Sequence, residues 1–255
     1  RLAVFTDLHA HDTDSPNEYK VMTGWATRLS AFVDASNVWS ADLVLNVGDL
    51  INGTFVMGAE LGDPERIPGL LDEVVSVLST LEAPLHHVFG NHDVYSLSKP
   101  QFLAATGQEA TFYSFDLGGF HFVILDAQFD KQERDYAHVA WMVQGLVPSA
   151  QLEWLAQDLA VTELPTVVFI HQPLSSAFSL LAGGPPVSNH LAVRQILVDS
   201  GKVAAVIQGH EHKAAYVEID GIHYITIAGL VDDREKETAE ESVPPAWALL
   251  TLDAQ

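Results

Sequence analysis

Five short segments of the chain carry side chains that are suited to binding divalent metal ions. Each follows an apolar run that is typical of a β-strand, and together they supply imidazoles, carboxylates and one amide. In chain order they are Asp7-Leu8-His9, Gly48-Asp49, Gly90-Asn91-His92-Asp93, His171 and Gly209-His210-Glu211-His212. A divalent ion needs three or four such ligands, so the set is large enough for two ions that share one carboxylate. Two metals about 3.5–4 Å apart are a recurring arrangement for attacking a phosphate ester, and the residues therefore indicate phosphoester hydrolysis.

The spacing within two of these segments predicts that their side chains share a metal centre. Residues i and i+2 of an extended segment point to the same side, so Asp7 and His9 are predicted to face one centre. His210 and His212 have the same spacing and are predicted to do so from another strand end. Asp49 is the natural bridging ligand, because a carboxylate has two oxygens and can serve two ions.

The other candidate ligands also bind through oxygen or nitrogen atoms and not through sulfur. Asn91 offers a neutral oxygen that suits a hard cation. The glycines at 48, 90 and 209 let the backbone turn away from each strand and approach the ions. The chain has no cysteine, so the ligands must be His, Asp, Glu or Asn, which favours Mn, Fe, Zn or Mg.

The elements expected to position these groups are strands and helices along the whole chain. Buried strands are predicted before the five segments at 2–6, 43–47, 85–89, 166–170 and 203–208. Four helices are predicted. The first is at about 19–37, the second follows a loop at 53–69 and ends at Leu81, the third is at 149–160, and the fourth is at 189–200. Ser149 is predicted to cap the third helix. Two hairpins (111–115 with 121–125, and 216–219 with 222–227) and a closing strand at 246–252 complete the prediction. Ligands of open α/β sheets lie at the carboxyl ends of strands, where all five segments are expected.

Taken as an ordered set, the five segments resemble the motifs of the calcineurin-like metallophosphoesterase superfamily, and the resemblance spans most of the chain. It implies an α/β fold, a four-layer αββα sandwich in which two mixed β-sheets are flanked by helices. It also implies a dinuclear site, and we expect a single domain over residues 1–255.

The resemblance further implies a role for each motif residue. One ion would be held by Asp7, His9, Asp49 and His212, and the other by Asp49, Asn91, His171 and His210. His92 would not be a ligand but the catalytic residue that contacts the phosphate and protonates the leaving oxygen. Many members orient that imidazole with a carboxylate three residues after the bridging Asp, where this chain has Asn52. An amide does not stabilise an imidazolium as a carboxylate does, so Asp93 or water remains an alternative acid.

Within the superfamily, His171-Gln172-Pro173 and the 149–155 segment resemble the branch of cyclic-nucleotide phosphodiesterases and Mn-dependent ADP-ribose/CDP-alcohol diphosphatases. This branch implies hydrolysis of a small-molecule phosphodiester or pyrophosphate by a hydroxide that bridges two divalent ions (Mn, Fe or Zn, with Mn favoured). The alternatives are a phosphomonoesterase with the same site, a metal-free binding scaffold of the same fold, and a nuclease. The protein-phosphatase branch is disfavoured, because the residues after Asp49 lack that branch's pattern.

Three further residues are candidate substrate contacts: Asn52, Asn189 and His11. His11 is as well explained as an ordinary surface residue. Asn189 could instead cap its helix. The long 126–148 loop contains Tyr136, His138 and Trp141, which could form either a substrate lid or a surface loop with some buried aromatic residues.

Composition narrows the choice of partner. A net charge of −22 argues against nucleic acid, because no basic patch is evident to contact a phosphate backbone. Bound divalent ions can still make the site locally positive. The chain has no run of about 18 apolar residues, so no membrane span is predicted. The sequence leaves the oligomeric state and the compartment open, the two alternatives for the compartment being the cytoplasm and export with a signal removed before Arg1.

Overall fold

A computed structural model describes residues 1–15, 20–56, 59–60, 62–137, 144–176, 186–233 and 245–253. The strands in chain order are β1 (Leu2–Phe5), β2 (Lys20–Val21), β3 (Leu43–Asn46), β4 (Phe55–Val56), β5 (Ala59–Glu60), β6 (Leu85–His87), β7 (Tyr113–Leu117), β8 (Phe120–Ile124), β9 (Thr166–Phe169), β10 (Val203–Gln208), β11 (Ala215–Ile219), β12 (Ile222–Thr226), β13 (Asp232–Asp233) and β14 (Ala248–Leu250). The helices are α1 (Trp25–Trp39), α2 (Ile67–Leu78), α3 (Lys99–Thr106), α4 (Ser149–Val161) and α5 (His190–Ser200), with a 3-10 turn at Pro64–Arg66.

Two mixed sheets form the centre of the protein. The first has the strand order β14-β1-β3-β6, in which β1, β3 and β6 are parallel and β14 pairs with β1 antiparallel. The second has the order β11-β12-β10-β9-β8-β7, with parallel central strands and an antiparallel hairpin at each edge. Both predicted hairpins are therefore present, and the predicted closing strand is β14.

The alternation of side chains along the strands explains why the sheets stack in four layers. Leu2 and Val4 of β1 lie in one buried hydrophobic cluster with Phe122 and Ile124 of β8, so the two sheets face each other across this cluster. The opposite face of the first sheet packs on α1, α2 and α3. The opposite face of the second sheet packs on α4 and α5. The predicted αββα sandwich of two mixed sheets is confirmed.

The structure differs from the predicted elements at several places. The segment predicted as the start of a helix at 19 is instead the strand β2, which pairs with β13, and α1 begins only after Gly24. The predicted 53–69 loop contains β4, β5 and the first residues of α2. The helix α3 was not predicted, although Ser98 and Gln101 form a capping box at its start.

The helix predicted to be capped by Ser149 also begins differently. Pro148 occupies the N-cap position of α4, and no side chain caps that end of the helix. Ser149 lies in the first turn and donates its hydroxyl to Glu133 instead. Among the described residues, none of the helices is both long enough and apolar enough to cross a membrane.

Candidate metal centre and active site

The predicted metal ligands lie just beyond the carboxyl ends of their strands, in turns with an unusual backbone. Five of them have positive φ values: Asp7 (52°), His9 (47°), Asp49 (54°), His210 (71°) and His212 (56°). Such left-handed conformations are uncommon outside glycine and cluster at functional sites. Asp7 and His9 do face one region, as predicted. The reason given for this, that they lie in an extended strand, was wrong. The turns, and not strand alternation, bring their side chains together.

The first group of candidate ligands consists of Asp7, His9 and His212, whose ligand atoms all lie within 4.8 Å of one another. His212 Nε2 lies 3.2 Å from Asp7 Oδ1, and the Nε2 atoms of His9 and His212 are 2.9 Å apart. Asp7 and His9 are fully buried. Three nitrogen and oxygen atoms thus converge on one small region, as a metal site requires.

The second group consists of Asp49, His171 and His210, again with ligand atoms within 4.8 Å of one another. His171 Nε2 lies 3.2 Å from Asp49 Oδ2 and 3.3 Å from His210 Nδ1. Nearby, Asn91 donates its Nδ2 to the hydroxyl of Tyr95 at 2.9 Å, which fixes the orientation of the amide. This orientation leaves the Asn91 Oδ1 as the available oxygen.

Asp49 lies between the two groups. Its Oδ2 is 3.6 Å from His9 Nε2 of the first group and 3.2 Å from His171 Nε2 of the second. Its Oδ1 accepts the backbone N–H of His92 at 2.8 Å, which holds the carboxylate in place. One carboxylate oxygen therefore faces ligands of both groups, as expected of a bridging residue.

A buried oxygen atom tests whether this cluster fits metal ions. Asn91 Oδ1 is buried without a hydrogen-bond donor in the described part of the chain. A buried acceptor without a donor is costly, and a cation removes that cost. The donor set of imidazoles, carboxylates and an amide is the one that Mn, Fe and Zn accept. The residues present therefore fit two divalent ions.

The pKa values of four of the candidate ligands suit metal binding. Burial alone would raise the pKa of Asp7 and of Asp49, but neighbouring imidazoles outweigh it, so both pKa values lie well below the ordinary value. Burial lowers the pKa of His9 to about 4 and that of His210 to about 3. Near neutral pH the acids are ionised and these two histidines are neutral, which is the state that binds metal. Burial also acts to lower the pKa of His171, but the Asp49 carboxylate outweighs it and raises the pKa to about 9.

Neighbouring acceptors fix the orientation of two of the imidazoles. His9 Nδ1 lies 3.0 Å from the Asn52 side-chain oxygen, and His171 Nδ1 lies 2.8 Å from the carbonyl oxygen of Val47. An oxygen acceptor keeps a proton on Nδ1, so Nε2 is the nitrogen that faces the site, and on His171 an ion would have to displace the Nε2 proton. The contact between Asn52 and substrate stays a prediction, and the structure places the Asn52 side chain against a candidate metal ligand.

His92, the predicted catalytic residue, is oriented by the same segment. Its Nδ1 donates to the backbone carbonyl of Asn52 at 2.7 Å, so the sequence position that lacks a carboxylate still supplies an acceptor. Its ring packs edge-on against His9 with centroids 4.4 Å apart. Burial lowers its pKa well below the ordinary value, although the Asp49 charge opposes this. A nitrogen of His92 lies within 4.8 Å of the ligand atoms of His9 and Asp49, so it borders both groups.

Asp93, the alternative acid, occupies a different position. Its two oxygens accept the backbone N–H groups of Asp49 (3.1 Å), Leu50 (2.8 Å), Ile51 (3.2 Å) and Gly90 (2.9 Å). Burial and the Asp49 charge raise its pKa to about 7. With both oxygens committed to backbone donors, Asp93 ties the Asp49 turn to the Asn91 turn and is not available to protonate a leaving group.

Close packing explains the glycine at two of the motif positions. A Cβ at Gly90 would overlap the backbone nitrogen and the carboxylate of Asp49. A Cβ at Gly48 would overlap the His171 ring, and the φ of Gly48 is +102°. These glycines make room for the ligands of the second group, in addition to allowing the sharp turns that were predicted.

The other predicted substrate contacts lie outside the two ligand groups. Asn189 donates to the carbonyl of Val147 at 2.7 Å and accepts its N–H at 3.1 Å, and no side chain caps α5. His11 is buried, with Nδ1 accepting the backbone N–H of Thr13 at 3.1 Å. The roles predicted for both residues remain predictions. Tyr136 is buried and donates its hydroxyl to the carbonyl of Gln144, whereas His138 and Trp141 lie outside the described residues.

Two residues of the site carried no recognisable signal in the sequence. Lys20 is 4% exposed, and its Nζ lies 3.4 Å from His9 Nε2. Tyr95 holds the Asn91 amide and packs on the His92 ring, with centroids 4.4 Å apart. The spacing of Asn91 and Tyr95 would suggest a contact only if a helical turn were known to be there. Nothing in the pattern around Lys20 points to the site.

The family model of the calcineurin-like phosphoesterases matches residues 1–214 of this chain. The chain belongs to the calcineurin-like phosphoesterase family. Among curated proteins, it is 23% identical to a manganese-dependent ADP-ribose/CDP-alcohol diphosphatase of Danio rerio, over 74% of this chain and 73% of that protein. A protein of the same description from Oryza sativa subsp. japonica is also 23% identical, over 74% of this chain and 68% of that protein.

Solved structures show the same architecture for this calcineurin-like phosphoesterase. A dimetal phosphatase from Danio rerio superposes with a TM-score of 0.70 at 21% identity, covering 89% of this chain and 87% of that chain. A purple acid phosphatase from Lupinus luteus superposes with a TM-score of 0.59 at 13% identity, covering 93% of this chain and 46% of that chain. At these identities the likeness establishes the fold.

Proposed function

We propose that the protein is a manganese-dependent hydrolase of a small-molecule phosphodiester or diphosphate. The position of Asp49 carries this proposal. Its Oδ2 lies 3.6 Å from His9 Nε2 and 3.2 Å from His171 Nε2, so one oxygen faces two separate ligand groups. Such an arrangement suits two ions that share a carboxylate and act together on one phosphate.

The assignment of residues to ions follows the same geometry. Asp7, His9 and His212 with Asp49 would hold one ion, and Asp49, His171 and His210 with Asn91 would hold the other. Two divalent ions supply an activated water and neutralise the charge on the phosphate oxygens. Manganese is chosen because the curated relatives are described as manganese-dependent and the ligands are oxygen and imidazole nitrogen.

His92 is assigned the transfer of a proton to the leaving oxygen. Its Nδ1 proton is held by the Asn52 carbonyl, so Nε2 is the nitrogen that can face a substrate. Burial keeps the ring neutral in the absence of substrate. The negative charge of a substrate phosphate beside the ring would favour its protonated form, because an opposite charge stabilises the imidazolium. General acid catalysis of this kind contributes about 10²–10⁴-fold to the rate.

The substrate class that we propose is supported by the curated relatives and by the net charge of the chain. Both curated relatives are described as diphosphatases of ADP-ribose and CDP-alcohols, and we assign the same class to this chain. A net charge of −22 disfavours a nucleic-acid substrate, so the partner is a small-molecule phosphate ester. A phosphomonoesterase with the same site is the second candidate, because the ligand groups by themselves do not distinguish a monoester from a diester.

Hydrolysis assays on metal-stripped protein refilled with Mn test the proposal. ADP-ribose, a CDP-alcohol and bis-p-nitrophenyl phosphate are expected to be hydrolysed faster than p-nitrophenyl phosphate, and activity should be lost when the metal is removed. Preference for p-nitrophenyl phosphate would establish the phosphomonoesterase instead. If Mn binds stoichiometrically but all four compounds are left intact, the proposal is wrong. If no metal is retained, the protein is a scaffold.

A further inference from the structure

A buried hydroxyl group lies directly against one of the candidate ligands. Thr6 is 0% exposed, and its hydroxyl donates to Oδ2 of Asp7 at 2.7 Å. The carbonyl oxygen of Val47 is a second acceptor, at 3.2 Å. That carbonyl already accepts Nδ1–H of His171 at 2.8 Å, and a hydrogen bond to a carboxylate is about twice as strong as one between neutral groups. The single hydroxyl proton of Thr6 is therefore assigned to Asp7.

The same oxygen of Asp7 has a second donor. The backbone N–H of His210 donates to Asp7 Oδ2 at 2.9 Å. The other carboxylate oxygen, Oδ1, lies 3.2 Å from Nε2 of His212 and 3.6 Å from Nε2 of His9. The two oxygens of Asp7 therefore have different surroundings. Oδ2 accepts two fixed donors, whereas Oδ1 faces the other candidate ligands of the first group.

The backbone around Thr6 fixes the direction of its hydroxyl. The Thr6 carbonyl accepts the N–H of Leu230 at 2.8 Å, and the N–H of Asp7 donates to the carbonyl of Gly48 at 2.9 Å. Once the backbone is fixed, the branched side chain of threonine has few rotamers left. A Cβ at Gly209 would overlap the Thr6 hydroxyl and lie 2.8 Å from Asp7 Oδ2. Glycine at this position therefore makes room for the contact.

We propose that Thr6 is a positioning residue that presents Asp7 to an ion through one oxygen. The hydroxyl and the His210 N–H hold Oδ2, and Oδ1 is the oxygen that remains for the metal. Without the hydroxyl, Oδ2 loses one of these two donors, and the carboxylate is less firmly held in the orientation that directs Oδ1 into the first group. Hydrogen bonds that orient a metal ligand change metal affinity by about 10–100-fold. This inference rests on the proposed function, because it assumes that Asp7 binds an ion.

Titration of metal-stripped protein with Mn tests this role without requiring turnover. Thr6→Val replaces the hydroxyl by a methyl group of similar size, and it is expected to weaken the binding of one Mn ion by about tenfold, the lower end of such effects. The affinity for the other ion should change by less than about threefold, a difference too small for a charge-assisted hydrogen bond. Thr6→Ser retains the hydroxyl and should bind both ions as the wild type does. Calorimetry measures the two affinities, and electron paramagnetic resonance distinguishes a single Mn from a spin-coupled pair.

A double substitution shows whether Thr6 acts through Asp7. In the Asp7→Asn background the carboxylate is absent, so adding Thr6→Val should leave the remaining Mn affinity unchanged, because the effects of two residues in contact are not additive. A general structural role of Thr6 would instead weaken Mn binding in both backgrounds.

Thr166→Val is the matched control. Thr166 is also 0% exposed, and its hydroxyl donates to the carbonyl of Leu164 at 3.2 Å. It begins β9, at the end of the second sheet opposite to the ligand groups. Its substitution should leave both Mn affinities unchanged. Urea unfolding of the metal-free variants measures their stability, and Thr6→Ala, which also lacks the hydroxyl, replaces Thr6→Val if that variant does not fold.

The outcomes separate this inference from the proposed function. Unchanged Mn affinity in the variants without a hydroxyl, equal weakening of both ions, or weakened Mn binding in Thr6→Ser would each overturn the role of Thr6. If the wild type hydrolyses diphosphates while Thr6→Val keeps wild-type Mn affinity, only the role of Thr6 fails. If Thr6→Val weakens one ion as expected while the wild type hydrolyses no phosphate ester, only the proposed function fails.

Discussion

The Nδ1 of His92 lies 2.7 Å from the backbone carbonyl oxygen of Asn52, and the side chain of Asn52 points elsewhere, to Nδ1 of His9 at 3.0 Å. One residue therefore orients both the candidate acid and a candidate metal ligand, but through different atoms. The two roles can be separated by mutation, because a side-chain substitution removes the contact to His9, together with a hydrogen bond to the Gly53 carbonyl at 3.2 Å, and leaves the contact to His92 in place.

Asn52→Ala is expected to weaken Mn binding. It removes the acceptor that keeps the His9 proton on Nδ1, and loss of such an outer contact costs about 10–100-fold in metal affinity. The backbone carbonyl that holds His92 remains, so kcat at saturating Mn should fall far less than Mn affinity does. Calorimetric titration of metal-stripped protein measures the first quantity. Asn37→Ala is the control, since the Asn37 side chain contacts the Thr80 carbonyl and the Glu82 N–H at exposed positions.

His92→Ala is expected to lower turnover and to leave Mn binding intact, in contrast to Asn52→Ala. It should lower kcat by about 10²–10⁴-fold, the contribution of a positioned acid, and leave two Mn ions bound. The loss should be smaller for p-nitrophenol esters, whose leaving group needs little protonation, than for alkyl esters. Elemental analysis after dialysis, combined with rates on both ester types, provides the test. A drop in bound Mn would show that His92 is a ligand and that its assignment is wrong. His223→Ala, at a half-exposed histidine, should change neither quantity.

Tyr95→Phe tests how Asn91 is oriented. The Tyr95 hydroxyl accepts the Asn91 Nδ2 at 2.9 Å, and this contact directs the Asn91 oxygen away from the tyrosine. Without the hydroxyl the amide can rotate, and we expect Mn affinity at the second ligand group to fall by up to about tenfold, the lower end of outer-contact effects. Electron paramagnetic resonance of titrated Mn measures the affinity. The exposed Tyr216→Phe should leave it unchanged, and an unchanged affinity in Tyr95→Phe would contradict the role given to Asn91.

Much of the fold and most of the candidate ligand set were predictable because the candidate ligands lie next to strongly apolar strands. Asp7, Asp49 and His210 each follow a buried strand of the length and composition that local pattern can identify. His171 is a single residue without a motif of its own, so its role came from the order of the other segments.

The features that the sequence did not predict depend on contacts between distant parts of the chain and on backbone conformation. Lys20 lies in a strand only because it pairs with Asp233, near the other end of the chain, and local pattern favoured a helix there. The left-handed turns at Asp7 and His9 follow from tertiary packing, which no spacing rule contains. The helix α3 is a different case, since its Ser98 and Gln101 capping box was a local signal that was overlooked.

A histidine remote from the site makes stability depend on pH. His121 on β8 lies between Asp116 (Nδ1 to Oδ1, 2.7 Å) and Asp158 of α4 (Nε2 to Oδ2, 2.9 Å), and Ser114 also donates to Asp158. Burial lowers the pKa of His121, but the hydrogen bonds to the two carboxylates outweigh it and raise the pKa above its ordinary value. The protonated ring thus joins the β7–β8 hairpin to α4.

The sign of the pH effect follows from this raised pKa. The stabilisation by His121 is fully present below the unfolded-state pKa of about 6.5 and is lost as pH rises through the folded-state pKa. His121→Gln is therefore expected to reduce the free energy of unfolding by about 1–3 kcal/mol at pH 6, as for hydrogen bonds to charged groups, and by less at pH 9. Urea unfolding across this range measures the difference, with His223→Gln as control because His223 is half-exposed and lies 4.0 Å from Glu218. A difference between His121→Gln and wild type that stays constant from pH 6 to 9 would mean that the ring is neutral in the folded protein and that its hydrogen bonds, and not its charge, join the hairpin to α4.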